Sequence, residues 1–161
     1  MRKRYKNESK TVLLIEDNPS WITLIRYSLP DSIRLDYVVT LQEGIEKISA
    51  YDVLILDLIL PDSQDPLQTF LQVFRVTRET RLPIIVISAQ DDINIQREIL
   101  NYCVSGYIDK VKWDRKSFLD LLSKVINDPP IKSHEQQHQS LSYLLNSLHT
   151  SDIVSLTSFF L

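Results

Sequence analysis

Four short stretches of this 161-residue chain carry side chains able to handle an anion or a cation: the acids Glu16-Asp17, the carboxylate Asp57, the hydroxyl of Ser88 and the amine of Lys110. Each closes an apolar run: T-V-L-L-I before Glu16, V-L-I-L before Asp57, P-I-I-V-I before Ser88, and G-Y-I-D before Lys110. If the runs are strands of one sheet, the four groups meet at its carboxyl edge, where ligands of open α/β sheets bind. Three acids placed together repel one another and need a cation between them. An all-oxygen cluster without His or Cys suits a hard ion, and Mg²⁺ takes one or two carboxylates while keeping its waters. A lysine and a hydroxyl facing the same point would receive an anion with several oxygens. Phosphoryl transfer uses all of these: a metal to neutralise, a lysine and a hydroxyl to hold equatorial oxygens, and a carboxylate to attack in line. Any one of these residues alone is an ordinary turn or cap residue; the four together are not.

Positioning them requires a particular order of elements. The run V-L-I-L-D-L-I-L (53–60) has one carboxylate among seven apolar residues. It reads as a strand buried on both faces, where an unpaired charge would cost several kcal/mol, so Asp57 must be paired or placed at the strand's end. Residues 11–16 form a first strand. A helix follows, with Asn18 as cap, Pro19 in its first turn, and Trp21, Leu24, Ile25 and Leu29 as its apolar face. Residues 33–39 alternate as an edge strand. Thr40 caps a helix to about Ala50, with Glu43 completing a capping box and Leu41, Ile45 and Ile48 facing inward. The third strand, 52–57, leads to a helix from Pro66 to about Thr77 bearing Leu67, Phe70, Leu71 and Phe74. A fourth strand at 81–88, a helix at 92–102, a fifth strand at 104–109 and a helix capped by Asp114 complete the series; the last carries Phe118, Leu121, Leu122, Val125 and Ile126. Five alternations of strand and helix predict a parallel sheet with helices on both faces, the doubly wound α/β architecture.

Composition bounds the rest. A 43% apolar and 24% charged chain is ordinary for a soluble globular protein, and a net charge of −3 argues against general nucleic-acid binding. The single cysteine, Cys103, excludes an internal disulfide and points to a reducing, cytoplasmic setting; it reads as a small buried residue. No apolar run reaches the roughly 20 residues of a membrane span. Residues 1–10 read as a basic, solvated arm and 11–128 as the folded domain.

The motifs E-D-N-P (16–19), Y-D-V-L-I-L-D-L-I-L-P-D-S (51–63), V-I-S-A (86–89) and G-Y-I-D-K (106–110), in this order and spacing, resemble the receiver domain of two-component response regulators over about residues 11–127. The resemblance implies a flavodoxin-like five-stranded sheet of order 2-1-3-4-5 with five helices. It makes Asp57 the phosphate-accepting aspartate, Glu16 and Asp17 the magnesium-binding pair, and Ile59 the donor of a backbone carbonyl to the metal. Ser88 and Lys110 become contacts of the phosphoryl group, with Ser88 and Tyr107 the switch pair. Implied partners are a sensor histidine kinase or histidine phosphotransfer protein and a downstream protein target, with no direct nucleic-acid binding and no membrane. The chain departs from the family at Val111, where Pro in a cis peptide is usual, and at Asp65, where Gly is usual. Val111 leaves the loop either trans or strained.

Residues 129–161 read as a helical tail without a recognisable output domain. Leu141, Leu144, Leu145 and Leu148 recur at helical spacing, so the tail should pack on its own domain or on a second copy; a homodimer is expected either through this tail or through the face of the fourth helix, fifth strand and fifth helix. His134 and His138 stand one helical turn apart without a third ligand and read as solvated. Two rival functions fit the fold less well. A binding module that keeps the fold without phosphorylation is opposed by the intact acids, Ser88 and Lys110. A phosphatase-type hydrolase needs a second acid two residues after the nucleophile, where this chain has Ile59. The expectation is therefore a phosphoacceptor domain rather than an enzyme acting on a separate substrate.

Overall fold

A computed structural model of the chain describes residues 9–63, 65–89, 92–102 and 104–127. Residues 1–8 of the basic arm, Cys103 and the tail with its leucines and His134 and His138 lie outside the described residues; Lys10, assigned to the arm from sequence, instead opens the first strand, where it pairs with Ile33. In chain order the elements are β1 (Lys10–Ile15), α1 (Pro19–Ser28), β2 (Ile33–Val38), α2 (Leu41–Lys47), β3 (Val53–Leu56), α3 (Pro66–Thr80), β4 (Ile84–Ser88), α4 (Ile93–Asn101), β5 (Gly106–Asp109) and α5 (Arg115–Asn127); short 3₁₀ turns follow α2 and β5. The five strands pair in parallel in the order β2-β1-β3-β4-β5, the doubly wound topology expected.

The pleat explains why the central strands are apolar throughout. Leu13, Ile15, Leu54, Leu56, Ile84 and Val86 enter one core with Phe70, Val73 and Ile99. Their neighbours in sequence, Val12, Leu14, Val53, Ile55, Ile85 and Ile87, enter the other with Ile22, Ile25, Phe118 and Leu122. Every residue of β1, β3 and β4 in these runs is therefore covered by a helix layer on one side or the other. Each helix starts on a side-chain cap: Asn18, Thr40, Asp65 and Asp92 accept from backbone N–H groups of the first turns, and Asp114 accepts from both the N–H and the hydroxyl of Ser117. Such caps are each worth about 1 kcal/mol. Asp65, the residue in the family's glycine position, is thus used as the cap of α3, accepting from Leu67 and Gln68 at 2.8 and 3.1 Å.

Several boundaries and faces differ from expectation. The α1 face turned to the sheet is Ile22, Ile25 and Ser28, while Leu24 remains 38% exposed. Doublets of large side chains (Trp21-Ile22, Leu24-Ile25) leave a 3.6-residue period unable to choose between faces 100° apart. Ser28 tolerates burial because its hydroxyl donates to the Leu24 carbonyl at 2.7 Å. The helix α3 runs to Thr80 and stops at Arg81, which takes the left-handed conformation (φ 58°) usually given to glycine. The carboxylate of Glu43 pairs with Lys47 at 2.6 Å, one turn along the helix, so only the Thr40 half of the expected capping box is seen. Strand β5 begins at Gly106 and is an edge strand, so Tyr107 is half-buried where a central position would have covered it. The chain's two glycines serve close approach: a Cβ on Gly44 would lie 2.2 Å from Ile15 and one on Gly106 2.5 Å from Leu121.

Candidate functional site

Parallel pairing delivers the carboxyl ends of β1, β3, β4 and β5 to one edge. Asp57 lies one residue past β3, yet its N–H still donates to the Ile15 carbonyl at 2.9 Å; Glu16, one past β1, donates to Val38 at 3.0 Å. The backbone of both acids is therefore fixed by the ladder. Continuing the pleat past the strand ends sends Glu16, Asp57 and Lys110 to the face carrying α1 and α5. Ser88, in step with Ile84 and Val86, and Tyr107, packed in the other cluster, belong to the opposite face.

Glu16 is fully buried and Asp57 is 3% exposed. What compensates them is Lys110, whose side chain is only 8% exposed and whose Nζ lies 2.8 Å from Asp57 Oδ2 and 2.6 Å from Glu16 Oε2. The contact with Asp57 is an aligned hydrogen bond. The one with Glu16 is close but poorly directed, and Oε2 accepts no aligned hydrogen bond among the described residues; its attraction to the ammonium is ionic. Glu16 Oε1 accepts from the Asn18 N–H at 3.0 Å, and Asp57 Oδ1 from the Ile59 N–H at 3.3 Å. Burial pushes the Glu16 carboxyl above its ordinary range; the Lys110 ammonium pulls it back and the Asp57 charge pushes it up again, with a net rise. Asp17, exposed, completes a set of three carboxylates whose oxygens lie within 4.8 Å of one another.

Three carboxylates against one ammonium leave the site short of positive charge. An all-oxygen donor set with a buried oxygen lacking an aligned partner is what a hard divalent cation completes, so the residues fit Mg²⁺.

Ser88 is fully buried at the end of β4 and stands in register with Asp109 of β5. Tyr107 is in register with Val86, and burial first, then the charges of Asp109 and Asp57, push its phenol up to about 12. The structure thus gathers Glu16, Asp17, Asp57 and Lys110 into direct proximity and sets Ser88 and Tyr107 on the strands beside them. Ile59 lies two residues past Asp57, its side chain 51% exposed.

The loop after Lys110 is settled as trans: the described residues contain no cis peptide. It forms a 3₁₀ turn, Lys110–Lys112, capped by Asp109, which accepts from the Val111 N–H at 2.8 Å. A proline at 111 has no such N–H to give. Sequence reasoning missed two features near the site. Asp62, in the loop after β3, accepts from the Leu41 and Gln42 N–H groups at 2.9 and 3.1 Å, tying that loop to the start of α2. Trp21 also stands beside Lys110 with Trp113 against it; their positions six residues after β1 and four after β5 were the available signal.

The family model described as the response regulator receiver domain matches residues 12–127. The chain belongs to this family. Receiver domains bind Mg²⁺ in an acidic pocket and interact with histidine kinases or phosphotransfer proteins. Among curated proteins, hybrid signal transduction histidine kinase D of Dictyostelium discoideum is 28% identical over 129 residues, which are 78% of this chain and 8% of that protein. The chain therefore spans only a small part of that relative's length. Among solved structures, a CheY-like response regulator receiver domain protein from Methanospirillum hungatei JF-1 superposes with a TM-score of 0.62 at 16% identity, covering 81% of this chain and 98% of that one. The receiver domain of a sensor histidine kinase from Pseudomonas aeruginosa PAO1, solved with a magnesium ion coordinated in its active site cleft, gives 0.62 at 23% identity over 74% of this chain and 99% of that one. These likenesses carry the receiver fold. Among the described residues of the present receiver domain, no helix is long and apolar enough to cross a membrane.

Proposed function

We propose that this receiver domain accepts a phosphoryl group on Asp57 from a phosphohistidine of a sensor kinase or phosphotransfer protein, and signals through protein contacts in the cytoplasm. The observation that carries this reading is the buried ammonium of Lys110 between Glu16 and Asp57, with Asp17 alongside. A carboxylate buried merely for structure has no use for two further acids at its side.

In the step proposed, an Asp57 oxygen attacks phosphorus, a P–O bond forms, and the P–N bond to the donor histidine breaks. The electron pair returns to the imidazole, which takes a proton from solvent. Lys110, already 2.8 Å from the carboxylate, follows the charge as it moves onto the phosphoryl oxygens. Ser88 donates its hydroxyl from the end of β4, and Tyr107 shifts inward on β5 as Ser88 is drawn away, passing the change to the α4–β5–α5 surface. Glu16, Asp17, Asp57 and the Ile59 carbonyl would hold Mg²⁺, which when bound offsets the negative charge of the phosphoryl oxygens. The domain speeds its own modification and its own hydrolysis and is not an enzyme with a separate substrate.

The test is intact-protein mass after incubation with acetyl phosphate and Mg²⁺. A gain of one phosphoryl group, lost in Asp57→Ala and with EDTA, is the expected result. A folded parent that never gains it is instead a binding module with a receiver fold.

A further inference from the structure

Two carboxylates hold the Lys110 ammonium at nearly equal distances, 2.6 and 2.8 Å. Electrostatics alone gives such an ammonium little reason to stay midway, because a lysine is a point charge on a flexible four-carbon stem. The next residue adds little packing around it: Val111 is 81% exposed. A third contact limits the side chain. Trp21, in the first turn of α1, presents its ring to Nζ with the centroid 5.2 Å away, inside the range of a cation–π contact.

Trp21 is in turn steadied from behind. Trp113, immediately after the 3₁₀ turn, meets it edge-on, with centroids 5.4 Å apart and planes at 79°. Trp113 lies 5.0 Å from Phe118, which is 1% exposed in the core beneath α5. A line of rings therefore runs from the core to the ammonium, and two of its members flank the loop that carries Lys110. Packing alone would have been served by any apolar side chain at 21; an indole face beside a desolvated ammonium also attracts it through the ring quadrupole.

We propose that Trp21 is a positioning residue for Lys110: its indole face, braced by Trp113, keeps the ammonium bridging Glu16 and Asp57 and so governs how readily Asp57 takes up a phosphoryl group. The kinetic half of this inference rests on the phosphoacceptor reading; the positional half does not.

Three proteins separate the possibilities: the parent, Trp21→Phe, which keeps a ring, and Trp21→Leu, which keeps bulk without a π face. The first readout needs no phosphorylation. In a ¹³C–¹H spectrum, with Lys110 assigned through Lys110→Arg, the ring current of Trp21 displaces the Lys110 ε-protons upfield in the parent. The displacement persists in part in Trp21→Phe and vanishes in Trp21→Leu. The second readout is the rate of phosphorylation by acetyl phosphate with Mg²⁺. Trp21→Leu is expected to be about 3- to 30-fold slower than the parent, the span of a cation–π contact between exposed and desolvated sites, with Trp21→Phe recovering most of the loss. Loss of packing alone would slow the two variants according to volume and leave no rescue by the ring. Undisplaced ε-protons in the parent, or a Trp21→Leu rate equal to the parent's, overturns the inference. A parent that shows the displaced ε-protons but takes no phosphoryl group sinks the phosphoacceptor reading and leaves the positional half standing.

Discussion

Replacing Lys110 by methionine removes the positive charge between two buried acids and shortens the side chain by only one heavy atom. The three side chains involved are 8%, 0% and 4% exposed, so solvent does little to screen the loss. Removing one partner of a buried ion pair typically costs 3–5 kcal/mol, because the remaining charge is left uncompensated. For a domain of roughly 120 residues, whose unfolding entropy near the midpoint is about 0.25 kcal/mol/K, that is a fall of about 12–20 °C in Tm at neutral pH. The pH dependence has a definite sign. Glu16 already has a folded pKa above its ordinary 4.5 because it is buried, and losing the ammonium raises it further. A carboxyl raised in the folded state binds its proton more tightly there than in the unfolded chain. Its stabilisation is complete below the unfolded pKa and is lost as pH rises through the folded one. The variant should therefore recover most of its deficit near pH 4.5 and show its full deficit at pH 8, whereas the parent changes less between them. Urea melts of Lys110→Met at both pH values, with and without millimolar Mg²⁺, measure this directly. Glu16→Gln in the same background should return part of the loss, since it neutralises one of the two facing charges. Finding Lys110→Met within about 0.5 kcal/mol of the parent at pH 8, the scatter of an ordinary surface substitution, would refute the claim that the ammonium is what permits the acids to be buried.

Three further outcomes follow from the geometry. Asp62→Ala frees the first N–H groups of α2 and should lower stability by about 0.5–1 kcal/mol, discounted for the exposure of the loop, read as a lower midpoint in urea with an unchanged m-value. Gly106→Ala places a methyl group 2.5 Å from Leu121 and should cost about 1–3 kcal/mol, with Leu121→Ala added to it giving a smaller loss than the two single effects combined. Ultraviolet titration should find one phenol, assigned by Tyr107→Phe, that ionises only near pH 12; because its folded pKa exceeds the ordinary 10.0, the stability linked to the neutral phenol is present below pH 10 and is lost between pH 10 and 12.

Much of this arrangement was legible in the residues. The alternation of five apolar runs with capped helical segments gives the layers, and an acid one residue past each of two such runs gives the site, because parallel strands end at the same edge. The Asn18, Thr40 and Asp114 caps act locally, through side chains that reach only two or three residues along the chain, so a single sequence contains all they need. What was not legible depended on distance. Whether Trp21 or Ile22 faces the sheet is decided by how α1 leaves β1, and Leu24 pays for that choice by remaining exposed. Asp62 bonds α2 from 20 residues away, a contact no local pattern records. The shape of the loop at Val111 follows from an Asp109 cap that the family's proline would not need. The contact of Trp113 with Trp21 joins residues 92 positions apart in the chain (113 − 21), and no local pattern marks it.

The pleat that covers every residue of the central strands also divides the molecule's labour. Glu16, Asp57 and Lys110 open on the layer of α1 and α5, while Ser88 and Tyr107 share the layer of α3 and α4. The parallel sheet acts here as a partition along the length of its strands, open at its carboxyl edge, where the charge of Asp57 reaches the Tyr107 phenol. Val73 and Ile99 pack in the cluster under α3 and α4, and Ile25 and Leu122 in the cluster under α1 and α5, so a substitution in one cluster reaches the other through the sheet between them. Pairs taken from opposite sides should therefore be nearly additive in stability, and the two layers are free to diverge separately, one keeping its chemistry while the other acquires a new listener.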